Sequence, residues 1–192
     1  YLEKVNSVIT SFEFIEKSGE VTAPKYETDE RGYILASDKK LCGFTMYVPS
    51  AYKVDYSSGM VSVSRDDGTS INMSTATYTN VDKEKYWEHR LGELEVLADR
   101  TVDGEGKEIT TVRTIATEVD VTADVFGDAG GIIVKWASAF EYTYSLGGAD
   151  YHVYQVLIRN GMTGYVFTYT ASEANYATHL TEAKSVLSEI EF

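Results

Sequence analysis

The sequence predicts an α+β domain, an antiparallel β-sheet with helices packed on it. Three observations predict it. Short runs of alternating apolar and polar residues are joined by Asp-Gly, Gly-Gly and Asn-Gly pairs, which mark hairpin turns because these residues tolerate positive φ. Two stretches carry apolar residues at helical spacing, one mid-chain and one at the end, as the buried stripe of an amphipathic helix requires. Strands and helices do not alternate one by one, so parallel βαβ units are not expected. At 192 residues, 43% hydrophobic and 12% aromatic, the chain is long enough for one domain with a proper core and an appendage.

The appendage is residues 1–25 and the domain residues 26–192. Tyr1–Phe14 (YLEKVNSVITSFEF) reads as a helix, followed by a linker at Glu16–Pro24 with Gly19 and Pro24 as its punctuation. This helix echoes the end of the chain, His179–Phe192 (HLTEAKSVLSEIEF), with five identical residues. Leu2, Val5, Ile9 and Phe12 fall on Leu180, Ala183, Leu187 and Ile190, and both copies run into a Glu-Phe pair able to begin a strand. The offset is about one domain length. Residues 1–14 are therefore expected to be the tail of a preceding homologous copy, with contacts of their own to make.

Within the domain, Tyr33–Ala36 and Gly43–Val48 read as strands, the second stopped by Pro49, with Cys42 inside its pattern as a small buried hydrophobe. Val61–Arg65 and Ile71–Thr77 flank the turn Asp66-Asp67-Gly68-Thr69. Asp82–Ala98 is a helix capped by Asp82, with Trp87, Leu91, Leu94 and Ala98 on its buried face. Asp103–Gly106 is a turn, and Ile109–Phe126 alternates imperfectly, as a bent strand does. Ala139–Ser145, Tyr151–Arg159 and Met162–Thr170, joined at Gly147-Gly148 and Asn160-Gly161, form a meander. A last helix begins near Ser172 and buries Tyr176, Leu180, Ala183, Leu187 and Ile190.

Charge narrows the function classes. Thirty acids against seventeen Lys and Arg give −13, a surface that repels phosphate backbones and anionic lipid. Nucleic-acid binding and direct membrane insertion of this segment are not expected, and no apolar run reaches the ~18 residues of a membrane span. One cysteine allows no intrachain disulfide, and fifteen tyrosines suit an extracytoplasmic protein, secreted or lipid-anchored at the cell surface.

Searches for chemistry return little. His89, His152 and His179 share no metal-ligand spacing, and the G-x-S-x-G, P-loop and G-x-G-x-x-G patterns are absent. Catalytic residues and cofactors are not assigned. Asp120, Asp124 and Asp128 recur every fourth residue and offer hard oxygen ligands for Ca²⁺, although the calcium-loop spacing is not matched. The aromatic meander is the better candidate surface, with Tyr142, Tyr144, Tyr151 and Tyr154 the residues to contact a sugar ring or a partner peptide.

Two segments carry a family resemblance. Gly43–Thr77 (GFTMYVPSAYKVDYSSGMVSVSRDDGTSINMSTAT) has a Gly-Phe strand ending in Pro, then Tyr52, an Asp-containing hairpin and an Asn-Met-Ser strand. Ala139–Tyr176 has a Tyr-x-Tyr strand, then a strand pair turning at Asn-Gly and leading to a closing helix. Together they resemble PsbP-like domains over about Tyr33–Phe192. The resemblance implies an α-β-α sandwich and a non-enzymatic binding or assembly role, as in the family's photosystem subunit and its secreted or lipoprotein bacterial relatives. No photosynthetic signature is present, so the photosystem role is not carried over. The leading expectation is an extracytoplasmic binding module, one copy of a tandem pair, with an unidentified protein partner or small ligand. A small-ligand or divalent-ion binding protein, or an unrecognised hydrolase with acids and a histidine converging in a deep pocket, are the alternatives.

Overall fold

A computed structural model describes residues 27–55, 60–76, 82–98, 111–127 and 131–192. The expected N-terminal helix and linker, the turn at 103–106 and Asp128 lie outside the described residues.

The described strands are β1 (Tyr33–Ser37), β2 (Met46–Pro49), β3 (Lys53–Asp55), β4 (Val61–Ser64), β5 (Ser70–Thr75), β6 (Thr111–Ile115), β7 (Val119–Asp120), β8 (Lys135–Leu146), β9 (Ala149–Asn160) and β10 (Thr163–Ser172). The helices are α1 (Lys39–Cys42), α2 (Lys83–Ala98), α3 (Thr122–Phe126) and α4 (Tyr176–Ser188). An eight-stranded antiparallel sheet runs β3-β4-β5-β10-β9-β8-β6, with β7 also paired to β8. β1 and β2 form a separate hairpin. The meander β8-β9-β10 is the longest part of the sheet, in register from Lys135↔Asn160 to Leu146↔Ala149.

Strand alternation gives the sheet two unlike faces. One cross-strand row, Val61, Met73, Phe167, Val156 and Ala139, is buried throughout. It belongs to the main core, which α4 covers with Ala183, Val186 and Leu187. Burying one such side chain contributes about 1.5–3 kcal/mol, so this face holds the domain together. The neighbouring row on the opposite face reads Ser62, Asn72, Thr168, Gln155 and Phe140. That face is apolar toward β8 and along the Leu157–Val166 pair, where Tyr86 and Leu94 of α2 close a smaller core over Trp136, Phe140 and Leu157.

The end of the chain completes the main core. The Tyr169 hydroxyl donates to the Tyr176 carbonyl at 2.8 Å, fixing the first turn of α4 to the sheet. Ile190 is buried, and Glu191 bridges to Thr45 through a reciprocal pair of backbone hydrogen bonds. The Glu-Phe pair thus does extend as a single bridge.

Several local expectations are corrected. Cys42 closes α1 instead of lying in a strand; Gly43 then takes φ 82° and donates its N–H to the Lys39 carbonyl, a left-handed cap that glycine provides. The stretch ending at Phe126 is two short strands and a helix, because the Asp120 carboxylate accepts the Thr122 N–H at 2.9 Å and turns the chain. The final helix begins at Tyr176 with Asn175 as its cap, four residues beyond Ser172. Among the described side chains of α2 the most buried are Tyr86 and Leu94, with Arg90 between them and Leu91 only half-buried. A polar residue sits on the inner face because the sheet beneath offers Gln155. Asp82 does cap α2, accepting the Glu84 N–H at 3.0 Å.

Candidate ligand cleft

Between α2 and the polar part of the sheet lies a cleft of about 560 Å³. Its floor comes from β5, β10 and β9, where Asn72, Ser74, Thr168 and Gln155 face the opening, and its wall from His89, Arg90 and Glu93 on successive turns of α2. Leu157, Val166 and Tyr86 form an apolar strip beside these polar groups.

Gln155 organises the cleft. It is 3% exposed, and a buried amide must be hydrogen-bonded on both sides. Its oxygen accepts from Arg90 Nε at 2.6 Å, and its nitrogen donates to Thr168 Oγ1 at 2.9 Å. The amide is thereby fixed in orientation, and Arg90 is fixed to the floor. Arg90 Nη1 also donates to Glu93 at 3.0 Å, and His89 lies 3.7 Å from the same carboxylate. The single acid of the wall is shared along the helix at i,i+3 and i,i+4. Asn72 and Ser74 have side chains without a hydrogen-bond partner among the described residues, and they open into the cleft. Burial first, then Glu93, pushes the Tyr86 hydroxyl up to about 12, against the pull of Arg90 and Arg159. It remains a neutral donor. Arg159, 1% exposed, lies two residues beyond Leu157 and donates from Nε to the Gly161 carbonyl at 2.6 Å, securing the β9-β10 turn.

The same face continues as an aromatic ladder along β8. Trp87 meets Phe140 edge-on at 4.5 Å, followed by Phe140–Tyr142 at 6.0 Å, Tyr142–Tyr144 at 6.4 Å and Tyr144–Tyr151 at 5.0 Å, the last pair stacked within 16°. Tyr144 and Tyr151 are direct cross-strand neighbours, the geometry in which aromatic pairs stabilise a sheet. Burial, reinforced by the two flanking tyrosines, pushes Tyr144 up to about 12.

Three of the four tyrosines singled out from the sequence therefore come together. Tyr154 does not. It lies on the opposite face, 5% exposed, beneath the Lys184 ammonium at 4.8 Å. The reason is parity: Tyr154 pairs with Glu141, one residue out of phase with Tyr142 and Tyr144. Burial chiefly, then Asp124 and Glu141, pushes its hydroxyl up to about 12.

Asp120 is engaged locally. The Thr122 backbone N–H foremost, then the Thr122 side chain and Lys83, hold its carboxyl at about 2. Asp124 is exposed on α3. Among the described residues no three His, Cys, Asp or Glu side chains gather as a metal-holding group. Two histidines serve as ties. His152 sits between Glu141 at 3.1 Å and Glu173 at 3.3 Å and stacks on Tyr176, and His179 meets Asp67 at 3.1 Å, joining α4 to the β4-β5 turn.

Sequence reasoning missed Asn72, Arg90, Gln155 and Thr168. Their signal was present: a lone amide in the apolar run VYQVLI, and the small polar residues alternating along β4, β5 and β10. On a two-sided sheet those positions mark a face left open to something polar.

No family model and no curated protein matches the sequence. Among solved structures, cyanobacterial PsbP (CyanoP) from Synechocystis sp. PCC 6803 is similar at 14% identity, over 90% of this chain and 99% of that one, with a TM-score of 0.54. PA94 from Pseudomonas aeruginosa, a protein of unknown function, matches at 14% identity over 82% and 94% with a TM-score of 0.47. LpqN of Mycobacterium tuberculosis, involved in cell envelope biogenesis, matches at 13% identity over 86% and 80% with a TM-score of 0.39. The antiparallel sheet between α4 and α2, with its correspondence to nearly the whole of CyanoP, gives this chain the PsbP-like fold.

Proposed function

We propose that this chain is a non-enzymatic binding module that works outside the cytoplasm and receives its ligand on the α2 face of the sheet. The observation that carries this reading is the cleft itself. Its floor is preorganised by the Arg90-Gln155-Thr168 chain of hydrogen bonds, while Asn72 and Ser74 remain open to a ligand. A few placed polar groups beside an apolar strip are the usual make-up of a small-molecule site. The Tyr142-Tyr144-Tyr151 ladder extends the same face with rigid amphipathic rings. Binding of this kind needs no cofactor.

A hydrolase has one observation in its favour, the His89–Glu93 pair on the cleft wall. Both side chains are nearly half exposed and follow the helix at i,i+4. That is the arrangement of an ordinary surface pair, and it supports binding over catalysis. Calcium is a weaker alternative because Asp120 is already engaged with Thr122 and Lys83; a melting temperature raised by Ca²⁺ and reversed by EDTA would favour it.

The extracytoplasmic reading is supported by the acidity and the tyrosine content, and protease shaving of intact cells tests it. Residues 1–14 are read as the last helix of a preceding copy. In support, the positions they echo, Ala183, Leu187 and Ile190, already fill this domain's own core. Deleting residues 1–16 should then leave the melting temperature unchanged, and unfolding on deletion would defeat the tandem reading.

A photocrosslinking amino acid in the native host tests the cleft. Placed at Met60 or His89, both lining the cleft, it should yield adducts detectable by mass spectrometry, and placed at Glu173, on the opposite face, it should not. Equal capture at Glu173 would reject the assignment.

A further inference from the structure

We infer that the cleft takes a neutral saccharide, its hydroxyls on the Asn72, Ser74 and Thr168 side chains and a C–H face on the Leu157–Val166 strip; this rests on the cleft being the ligand site.

Charge comes first. The cleft wall holds two basic side chains and one acid, and these are already paired with one another: Glu93 receives Arg90 at 3.0 Å and faces His89 at 3.7 Å. Arg90 is further tied to Gln155 at 2.6 Å. An anionic ligand would have to displace Glu93 while approaching a chain of net charge −13. A cationic ligand would compete with Arg90 for the wall's one carboxylate. A ligand without charge meets neither cost.

Hydrogen-bonding type comes second. The open floor groups are an amide and hydroxyls, each able both to donate and to accept. They suit sugar hydroxyls, which also do both. They occupy adjacent strands: Asn72 on β5 is the register partner of Thr168 on β10, and Ser74 that of Val166. Neighbouring strands lie about 4.8 Å apart, so a flat ring lying across β5 and β10 spans one polar group from each. Beside them Val166 and Leu157, register partners on β10 and β9, present the apolar surface that the C–H face of a pyranose covers.

Backbone availability separates a saccharide from a peptide. An extended peptide commonly binds by adding to an exposed sheet edge. The floor strands β5, β10 and β9 are interior, with neighbours on both sides, so their main-chain groups are taken. Only side chains remain to meet the ligand. The fixed Gln155 amide keeps the floor from collapsing into an empty cleft, which lowers the ordering cost of binding. The cleft volume of about 560 Å³ leaves room for a short oligosaccharide.

Calorimetric titration of the full chain with maltotriose, cellotriose and N,N′,N″-triacetylchitotriose, beside tetra-alanine as the peptide comparison, tests the assignment at about 50 and about 500 mM NaCl. At least one trisaccharide is expected to bind with a Kd that moves less than about twofold between the two salts. Asn72→Ala and Thr168→Val should each weaken it roughly 3- to 10-fold, the loss of one or two neutral hydrogen bonds, with Tyr154→Phe on the opposite face unchanged. Circular dichroism melts of each variant establish that it is folded; if Thr168→Val is not, Asn72→Ala and Ser74→Ala carry the test. No trisaccharide binding at roughly 10 mM, or binding that weakens steeply with salt, overturns the saccharide assignment. Tetra-alanine binding that is lost in Asn72→Ala overturns it too, while leaving the cleft as the ligand site. Saccharide binding indifferent to Asn72→Ala, Ser74→Ala and Thr168→Val overturns the cleft itself.

Discussion

Replacing Gly43 with alanine sets two costs against each other that a second mutation separates. Gly43 has φ 82°, and a Cβ built there would lie 3.0 Å from the Tyr165 hydroxyl oxygen. That hydroxyl donates to the Gly43 carbonyl at 3.3 Å. Alanine in the left-handed region costs about 1 kcal/mol. Moving the hydroxyl out of the way loses its hydrogen bond and strains a ring that is 5% exposed, for about 1–2 kcal/mol more. Gly43→Ala should therefore cost about 2–3 kcal/mol. Tyr165→Phe alone loses one long hydrogen bond, about 0.5–1 kcal/mol. In the double variant the obstruction is gone, so the total should be about 1.5–2 kcal/mol, less than the sum by about 1 kcal/mol or more. Urea denaturation with a common slope measures all three. Additivity within about 0.5 kcal/mol would refute the reasoning, since it would mean that Gly43 and Tyr165 do not meet.

Three further outcomes follow from the geometry. The Asp120 carboxyl is held at about 2 against 3.8, so its stabilisation is fully present above pH 3.8 and lost as pH falls through about 2. Because the side chain is 63% exposed, it is screened to about 1 kcal/mol, and urea midpoints of wild type and Asp120→Asn should converge as the pH is lowered toward 2. Tyr86, Tyr144, Tyr154 and Tyr169 are each pushed up to about 12, burial being the leading cause. The folded state keeps protons that the unfolded state releases above pH 10, so stability is full below 10 and falls toward 12; absorbance at tyrosinate wavelengths should show these four ionising only as the fold is lost. Trp87→Ala removes the edge-on contact with Phe140 and should cost about 2–3 kcal/mol, with hydrogen exchange rising in α2 and unchanged in α4; equal loosening of both helices would refute the independence of the two cores.

Where turn chemistry and alternation were strong, the sequence was legible. Asp66–Thr69, Gly147-Gly148 and the Asn160-Gly161 region sit at or beside turns as expected, and the meander follows from them. The final stripe of Tyr176, Ala183, Leu187 and Ile190 is buried. Expectation failed where a side chain redirected the backbone, at Asp120, or where a short helix used a strand-like pattern, at Lys39–Cys42. The site was harder. Aromatic content pointed to the right face for Tyr142, Tyr144 and Tyr151, but strand phase took Tyr154 to the other side. The cleft depends on Arg90 reaching a residue 65 positions away in the chain, a pairing that no local pattern encodes.

The sheet order has a consequence for how this protein is made. β10 lies between β5 and β9, so the hairpin strands β3 to β5, finished at Thr75, have no partner on their inner side until residues from Thr163 onward exist. At ribosomal rates of about 5–20 residues per second, the intervening stretch keeps that edge waiting for roughly 4–18 seconds. During this interval Val61, Val63, Ile71 and Met73, buried in the finished domain, lack both β10 and α4. A nascent chain of this topology therefore carries an unpaired inner edge and uncovered apolar side chains until its last thirty residues emerge, and a stop codon before Thr163 would leave two half-sheets with no central strand between them.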